Sequence, residues 1–275
     1  MWRRTALFCQ LLAGIVQSGC SPPPPPGNFH LATVAASPEH QMLFIAQPGL
    51  NAVDVLRMAA DRRNEAPAFV ARLVDPQRTH VLRLAVDHRQ ARLWVADFKL
   101  VQVYALPDLH EVRRYELHGD AYYNRFTDLA LDDAGNVFVL AQGGARIDRI
   151  DATSLDLETW LQLHDRATDA ALALANRALT SRNGDQLFLA SATRGDLVQI
   201  DLRSKQVTLV SENAANFTCG LLFWDGDSTN IRAFDCTGRW EAHVNLAQSG
   251  LASSVVMRGE PRQVGSITIF ADRKR

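Results

Sequence analysis

The sequence predicts an all-β protein with one sizeable core; its apolar pattern indicates the fold class, and its composition indicates the core. Short alternating apolar runs, separated by Asp, Asn, Gly and Pro, fill most of the chain after Asn28, whereas stretches with the period of a helix are few. Of the 275 residues, 47% are hydrophobic and 21% are charged, which is enough apolar material for one sizeable core. Length alone allows one large β domain or two smaller ones.

A unit of strand, polar turn and strand recurs four times. Its second strand is an apolar run with one aromatic side chain, at Phe44, Trp94, Phe138 and Phe188. These positions are 50, 44 and 50 residues apart, a spacing typical of one four-stranded propeller blade per repeat. The repeats therefore predict a β-propeller.

A third and a fourth strand complete each of these four blades. The third strands are expected at residues 52–56, 101–105, 145–151 and 197–201. The fourth, outer strands are expected at residues 68–74, 110–117, 158–163 and 205–210.

The remaining sequence predicts two further blades. Residues 219–224, 231–236 and 240–246 form a meander of three strands in a fifth blade. Residues 253–257 and 266–270 supply strands for a sixth, which residues 29–35 or a neighbouring N-terminal strand would complete. Ring closure matters because a blade cannot bury both of its faces alone. We favour six four-stranded blades over five or seven.

One segment has the composition of a helix. Residues 169–180 are rich in Ala and Leu, which are good helix formers. They predict a short helix on the propeller face, the alternative being a loop between blades.

The N-terminus has the organisation of an export signal. A basic start that includes Arg3 and Arg4 precedes an apolar run of about 12 residues, shorter than the roughly 20 that span a bilayer. The sequence Gln17-Ser18-Gly19-Cys20 resembles a bacterial lipobox, in which Cys20 is lipidated and becomes the new N-terminus. Residues 1–20 are thus expected to be a lipoprotein-type signal peptide. Because Gln17 departs from the usual lipobox residue, a cut by ordinary signal peptidase nearby stays open.

Residues 21–28 predict a spacer between the anchor and the domain. They contain five consecutive prolines, which form a stiff polyproline helix of about 3.1 Å per residue. Ser21 follows the cysteine where inner-membrane lipoproteins have Asp, and this resemblance implies an outer-membrane lipoprotein that faces the periplasm. The propeller domain is expected at residues 29–275.

The net charge bears on which partners to expect. The chain has a formal net charge of −1, and removal of Arg3 and Arg4 with the signal peptide would leave −1 − 2 = −3. This balance gives no reason to expect a nucleic-acid partner or a polybasic membrane surface.

Two cysteines remain in the predicted domain, and they predict a disulfide. Cys219 and Cys236 are equally distant from a turn at residues 226–229, so a hairpin would place them directly opposite each other. Opposite residues have Cβ atoms about 4.5–5.5 Å apart, close to what a disulfide needs. The periplasm is oxidising. The alternative is two buried free thiols.

Two stretches carry a family resemblance. Arg125-Phe126-Thr127-Asp128 with the following turn and strand, and residues 176–181 followed by Leu187-Phe188, resemble the gluconolactonase and regucalcin-like (SMP-30 type) family of six-bladed propellers, which includes metal-dependent lactonases. The resemblance spans about residues 80–240. It implies one divalent cation such as Ca²⁺ at the mouth of the central channel, held by a Glu, two Asn and an Asp.

Carried over residue by residue, that cation site is incomplete. Asn176 occupies the position of one ligand Asn of the family. Asp128 matches the family's Asp that lies next to the other ligand-Asn position. Thr127 stands where an Asn is expected, Cys219 stands where the ligand and catalytic Asp is expected, and no Glu precedes the first strand. We therefore expect no metal cofactor and no lactonase catalysis, with a divergent metal-dependent lactonase as the alternative.

The loops that enter the innermost strands offer a candidate binding surface. Aromatic and polar groups that converge on a concavity suit a small molecule or a peptide. The candidate residues are His80, Tyr122, Tyr123, Asn124, Arg125, Asp128, Asn176 and Asn216. The alternative is that these are ordinary solvated loops. The sequence thus favours a lipid-anchored binding or scaffolding module for a ligand or an envelope protein, and a role beside neighbouring envelope machinery stays open.

Overall fold

The computed structural model describes the chain in segments between residues 34 and 269. The described residues are 34–47, 51–58, 67–78, 81, 83–116, 126–141, 146–162, 175–180, 184–191, 197–211, 222–225, 230–234, 240–245, 253–257, 262–264 and 267–269. The predicted signal peptide, its Cys20 and the proline spacer lie outside these residues.

The described strands form five four-stranded antiparallel sheets and one two-stranded sheet, and every sheet pairs strands that are consecutive in the chain. The first sheet contains β1 (Val34–Ser37), β2 (Met42–Gln47), β3 (Ala52–Arg57) and β4 (Ala68–Val74). The second contains β5 (Arg83–Asp87), β6 (Arg92–Ala96), β7 (Leu100–Ala105) and β8 (Glu111–Glu116). The third contains β9 (Phe126–Leu131), β10 (Val137–Ala141), β11 (Arg146–Ile150) and β12 (Leu157–Gln162).

The last three sheets follow in the same way. The fourth contains β13 (Ala175–Thr180), β14 (Gln186–Ser191), β15 (Leu197–Asp201) and β16 (Val207–Ser211). The fifth contains β17 (Leu222–Asp225), β18 (Asn230–Phe234), β19 (Trp240–Asn245) and β20 (Ser253–Met257). The sixth contains β21 (Arg262–Val264) and β22 (Ile267–Ile269). The all-β prediction is confirmed, and no helix in these ranges is long and apolar enough to cross a bilayer.

The core consists of seams between consecutive sheets. In the second sheet Leu93 and Val95 face the first sheet, whereas Trp94 faces the third sheet, because successive side chains of a strand point to opposite faces. Val139 and Leu140 of the third sheet divide in the same way between the second and fourth sheets. This arrangement explains why the second strand of each repeat is apolar at consecutive positions, since both of its faces are buried.

The first strands of the sheets lie innermost. Each of β1, β5, β9 and β13 contacts the first strand of the next sheet. The fourth strand lies at the outer edge, and β4 exposes Phe69 (60% exposed) and Val74 (64%). The first strands therefore lie on the inner side of the sheets.

The turns between third and fourth strands repeat one conformation in three sheets. Leu109, Leu155 and Lys205 have left-handed backbone, with φ of 61°, 60° and 59°. Each donates its N–H to the carbonyl four residues earlier, at 2.8–3.0 Å. The repeat in the sequence is thus a repeat of backbone geometry as well as of hydrophobicity.

Three sequence predictions were wrong in detail. Residues 175–180 form β13 and not a helix, because their backbone groups pair along the apolar strand β14, and this pairing outweighs helix propensity. Ser253–Met257 is the fourth strand of the fifth sheet and not part of a sixth, since it pairs with β19 close by in the chain. Val34 and Ala35 pair with β2 in the first sheet and do not complete a sixth blade. The number six stays a prediction.

Two glycines test how tightly consecutive sheets pack. Gly135 and Gly184 both have left-handed backbone, with φ of +88° and +63°. A Cβ on Gly135 would lie 2.7 Å from Asp87 Oδ2, and a Cβ on Gly184 would lie 2.7 Å from the backbone nitrogen of Asp133. Each glycine belongs to a hairpin that packs on the hairpin of the preceding sheet.

We predict that Gly135→Ala lowers the free energy of unfolding by about 1–3 kcal/mol. The separate variant Gly184→Ala should lower it by a larger amount. Both positions have left-handed backbone, so both variants carry the backbone strain of a Cβ at positive φ. The comparison therefore isolates the effect of the steric contact. The difference is expected because the Asp87 side chain, although hydrogen-bonded, can shift at a lower cost than the backbone nitrogen of Asp133. Urea unfolding of both variants measures it, and equal losses below about 0.5 kcal/mol would contradict the tight packing.

The disulfide between Cys219 and Cys236 stays a prediction, since both cysteines lie outside the described residues. The hairpin register is the one that the prediction assumed: Leu222 is opposite Ala233 and Asp225 is opposite Asn230. Alkylation of the unreduced protein should leave Cys219 and Cys236 unmodified, and reduction should add two alkyl groups. The same mass under both conditions would contradict the predicted disulfide.

Candidate functional site

The candidate site lies at one end of the sheets, here named the leading face, where the inner strands β5, β9 and β13 begin. The described residues 75–78, which precede β5, lie there, and so does the turn between β6 and β7. Antiparallel pairing shows the latter directly, because Arg83 at the start of β5 is opposite Ala96 at the end of β6. Of the residues that the sequence analysis selected, Asp128 in β9 and Asn176 in β13 belong to described inner strands.

An ion pair joins two inner strands near this face. Arg83 Nε lies 3.4 Å from Asp128 Oδ1, and the two side chains are 19% and 3% exposed. Asp128 Oδ1 also accepts the backbone N–H of Leu129 at 2.9 Å. A buried carboxylate needs such compensation, so Arg83 provides the charge that makes the burial of Asp128 tolerable.

Arg83 was not among the predicted site residues, although the repeats contain a signal for it. Arg83 lies four residues before Asp87, and Asp128 lies four residues before Asp132, so both occupy the same repeat position. Opposite charges at one repeat position of consecutive inner strands predict an ion pair between them. Arg177, in β13, has the same position in the fourth repeat; its side chain lies outside the described part of the molecule.

The loop that enters β5 is anchored by a buried arginine. Arg78 is 2% exposed, and its Nε donates to Gln102 Oε1 at 3.2 Å. Its Nη1 donates to the carbonyl of Leu73 at 3.0 Å, and its Nη2 donates to the Tyr104 hydroxyl at 3.1 Å. These bonds connect the outer strand of the first sheet to the third strand of the second, so Arg78 braces the seam beside the leading face.

Carboxylates complete this cluster. The Gln102 amide donates to Asp75 Oδ2 at 2.8 Å and to Glu111 Oε2 at 2.7 Å, while its oxygen faces Arg78. Arg114 Nη2 donates to Asp75 Oδ2 at 2.6 Å. Two arginines and two carboxylates are therefore joined through one fully buried amide, and their formal charges cancel.

The pKa of Asp75 is lowered from its ordinary value of 3.8. Burial raises it, but the N–H of Gln77, the guanidinium of Arg114 and the amide of Gln102 together lower it by more. Arg114 likewise lowers the pKa of Glu111, chiefly through its hydrogen bond. Both carboxylates are thus held in their charged form.

Buried polar side chains recur near the leading end of the third strands. Asp54, Gln102 and Asp148 occupy equivalent positions in β3, β7 and β11 and are 9%, 0% and 2% exposed. Asp54 accepts from Arg72 Nη2 at 3.0 Å, and Asp148 lies 2.8 Å from Arg146 Nη2. Arginine therefore compensates buried polar groups in each of these three sheets.

The remaining predicted residues divide as follows. Asn176 lies in β13, and its side chain is not described. Asp128 is described, and it is paired with Arg83. The others lie outside the described residues: His80, Tyr122, Tyr123, Asn124, Arg125, Asn216, Cys219 and Cys236. Among the residues that are described, no group of three or more His, Cys, Asp or Glu side chains is arranged to hold a metal ion.

The meander sheets with their first strands innermost define a β-propeller. No family model matches the chain. A search of curated proteins also finds no match. The chain is similar in structure to the β-propeller domain of Cps50 (Swd1) from Myceliophteria thermophila, with a TM-score of 0.57 and 12% identity over 82% of this chain and 71% of that one.

Two further solved structures are similar to this chain. Hydrazine synthase from Kuenenia stuttgartiensis has a TM-score of 0.59 and 15% identity over 90% of this chain and 73% of that one. A protein from Lactobacillus plantarum has a TM-score of 0.59 and 13% identity over 84% and 72%. At such identities the likeness shows the fold alone.

The lowered pKa of Asp75 predicts how the stability of the protein changes in acid. A carboxylate with a lowered native pKa adds stability above its unfolded pKa, and this contribution is lost as the pH falls through the native value. We predict that the free energy of unfolding of the wild type decreases below about pH 4 more steeply than that of Asp75→Asn. Urea unfolding between about pH 3 and pH 7 measures the two slopes. Parallel curves would contradict the assignment.

Proposed function

We propose that this chain is an exported, lipid-anchored β-propeller that binds a ligand or an envelope protein through its leading face, without metal-dependent catalysis. The observation that carries the proposal is the pair of Arg83 and Asp128, which places compensated charge where the inner strands begin. Propellers commonly bind at the end of the ring where loops from several blades converge on a concavity.

The proposed absence of metal catalysis rests on the surroundings of Asp128. A divalent cation binds where carboxylate charge is uncompensated, and here a guanidinium already lies 3.4 Å from the carboxylate oxygen. Calorimetric titration with Ca²⁺, Mn²⁺ and Zn²⁺ after chelation should show no stoichiometric binding. One tightly bound equivalent that is lost in Asn176→Ala would overturn this part and favour the divergent lactonase.

The proposed anchor rests on the sequence around Cys20. Acyl chains contribute about 0.8 kcal/mol per buried CH₂, so they can retain the domain at the outer membrane without a spanning helix. The wild type should sediment with outer-membrane vesicles and carry an acylated N-terminal cysteine by mass spectrometry. Cys20→Ala should abolish acylation and processing at this position. An unmodified N-terminus in a freely soluble wild type would overturn the anchor.

The leading face itself is tested by crosslinking in cells. Lys99 is exposed in the loop between β6 and β7 at the leading face, and Arg203 is exposed in the turn between β15 and β16 at the opposite end. A photoreactive phenylalanine analogue at position 99 should give a discrete adduct with a partner, and the matched control at position 203 should give none.

A small-molecule ligand is covered by a second measurement. Native mass spectrometry of the purified protein would show a bound molecule, which Arg83→Gln should weaken or remove. Equal crosslinking at both positions, or neither an adduct at position 99 nor a bound molecule, would contradict the binding role.

A further inference from the structure

Among the buried side-chain nitrogen and oxygen atoms of the described residues, Asp87 Oδ2 and Trp94 Nε1 have no hydrogen-bond partner. Asp87 is 3% exposed and Trp94 is fully buried. A buried polar group without a partner is costly, so each such group requires an explanation. One of these two atoms is an acceptor and the other is a donor.

Both side chains belong to the same seam. Ala85 is opposite Trp94 and Asp87 is opposite Arg92, so Asp87 and Trp94 are diagonal neighbours on one face of the β5–β6 pair. Trp94 packs with Leu129 and Val137 of the third sheet. Asp87 Oδ2 faces the third sheet at Gly135. The donor and the acceptor therefore lie in the seam between the second and third sheets.

The Asp87 carboxylate is held in place by its other oxygen. Oδ1 accepts the backbone N–H groups of Arg89 at 2.9 Å and of Gln90 at 3.2 Å. Protonation of Oδ2 would not solve the problem, because it would add a second donor and leave the indole N–H unsatisfied. A metal cation would not solve it either, because the indole N–H is a donor.

A water molecule has the complementary chemistry, since it accepts and donates at once. We propose that one water molecule binds in this seam, accepting the Trp94 Nε1–H and donating to Asp87 Oδ2. The other three aromatic positions of the repeat are Phe44, Phe138 and Phe188, whose side chains have no N–H group. Among these four repeats the indole donor is thus specific to the second.

A crystal structure of the purified protein at about 1.5 Å tests the proposal. The expected result is a density peak within about 2.7–3.2 Å of both Trp94 Nε1 and Asp87 Oδ2. A direct hydrogen bond between the two side chains, a water that contacts only one of them, or an empty seam would overturn the proposal.

A solution measurement provides an independent test. With ¹⁵N-labelled tryptophan, the Trp94 indole N–H should show a cross-peak to a long-lived water, and its resonance is assigned by its absence in Trp94→Phe. Phenylalanine is the matched replacement because it occupies this position in the other repeats. The Trp94→Phe crystal should lack the bridging water, and a water unmoved in that variant would contradict the bridge.

Discussion

The described core depends on the burial of both faces of the second and third sheets by the sheets on either side. A four-stranded sheet with two apolar faces is stable only between two others, so the blades stabilise one another in sequence. Leu93 and Trp94 illustrate this constraint. They are adjacent in β6, but Leu93 is buried in the seam with the first sheet and Trp94 is buried in the seam with the third. Polar side chains in the seams therefore have to fit between sheets that are already in contact.

The seams also explain where the polar groups are. Arg78 and Gln102 are buried between the first and second sheets, and Arg83 with Asp128 joins the inner strands of the second and third. Such groups contribute little net stability compared with an apolar core, but breaking one partner leaves a buried group uncompensated. They therefore favour one arrangement of neighbouring blades at the leading face, which is the property that a binding surface requires.

Part of the candidate site was predictable from the residues, and part was not. Asp128 was selected through a family resemblance, whereas its partner Arg83 becomes visible when the repeats are aligned and opposite charges occupy the same position. The anchoring of the loop before β5 by Arg78 and Gln102 was not predictable, because these residues are 24 positions apart and meet only when two sheets pack. Within the segment 169–180, where a helix was expected, residues 175–180 form a strand for a different reason: they pair with β14, the next strand in the chain, and this pairing outweighs their helix propensity.

The sequence by itself determined the fold class, the repeat and most strands, because alternation of apolar side chains is a local property that antiparallel meanders preserve. It predicted β15 at Leu197–Asp201 and β4 at Ala68–Val74 without error. Only the tertiary structure decided which charges compensate one another across the seams, as for Arg83 and Asp128. The physical reason is that strands and their antiparallel pairing depend on neighbours in the chain, whereas ion pairs across a seam depend on neighbours in space.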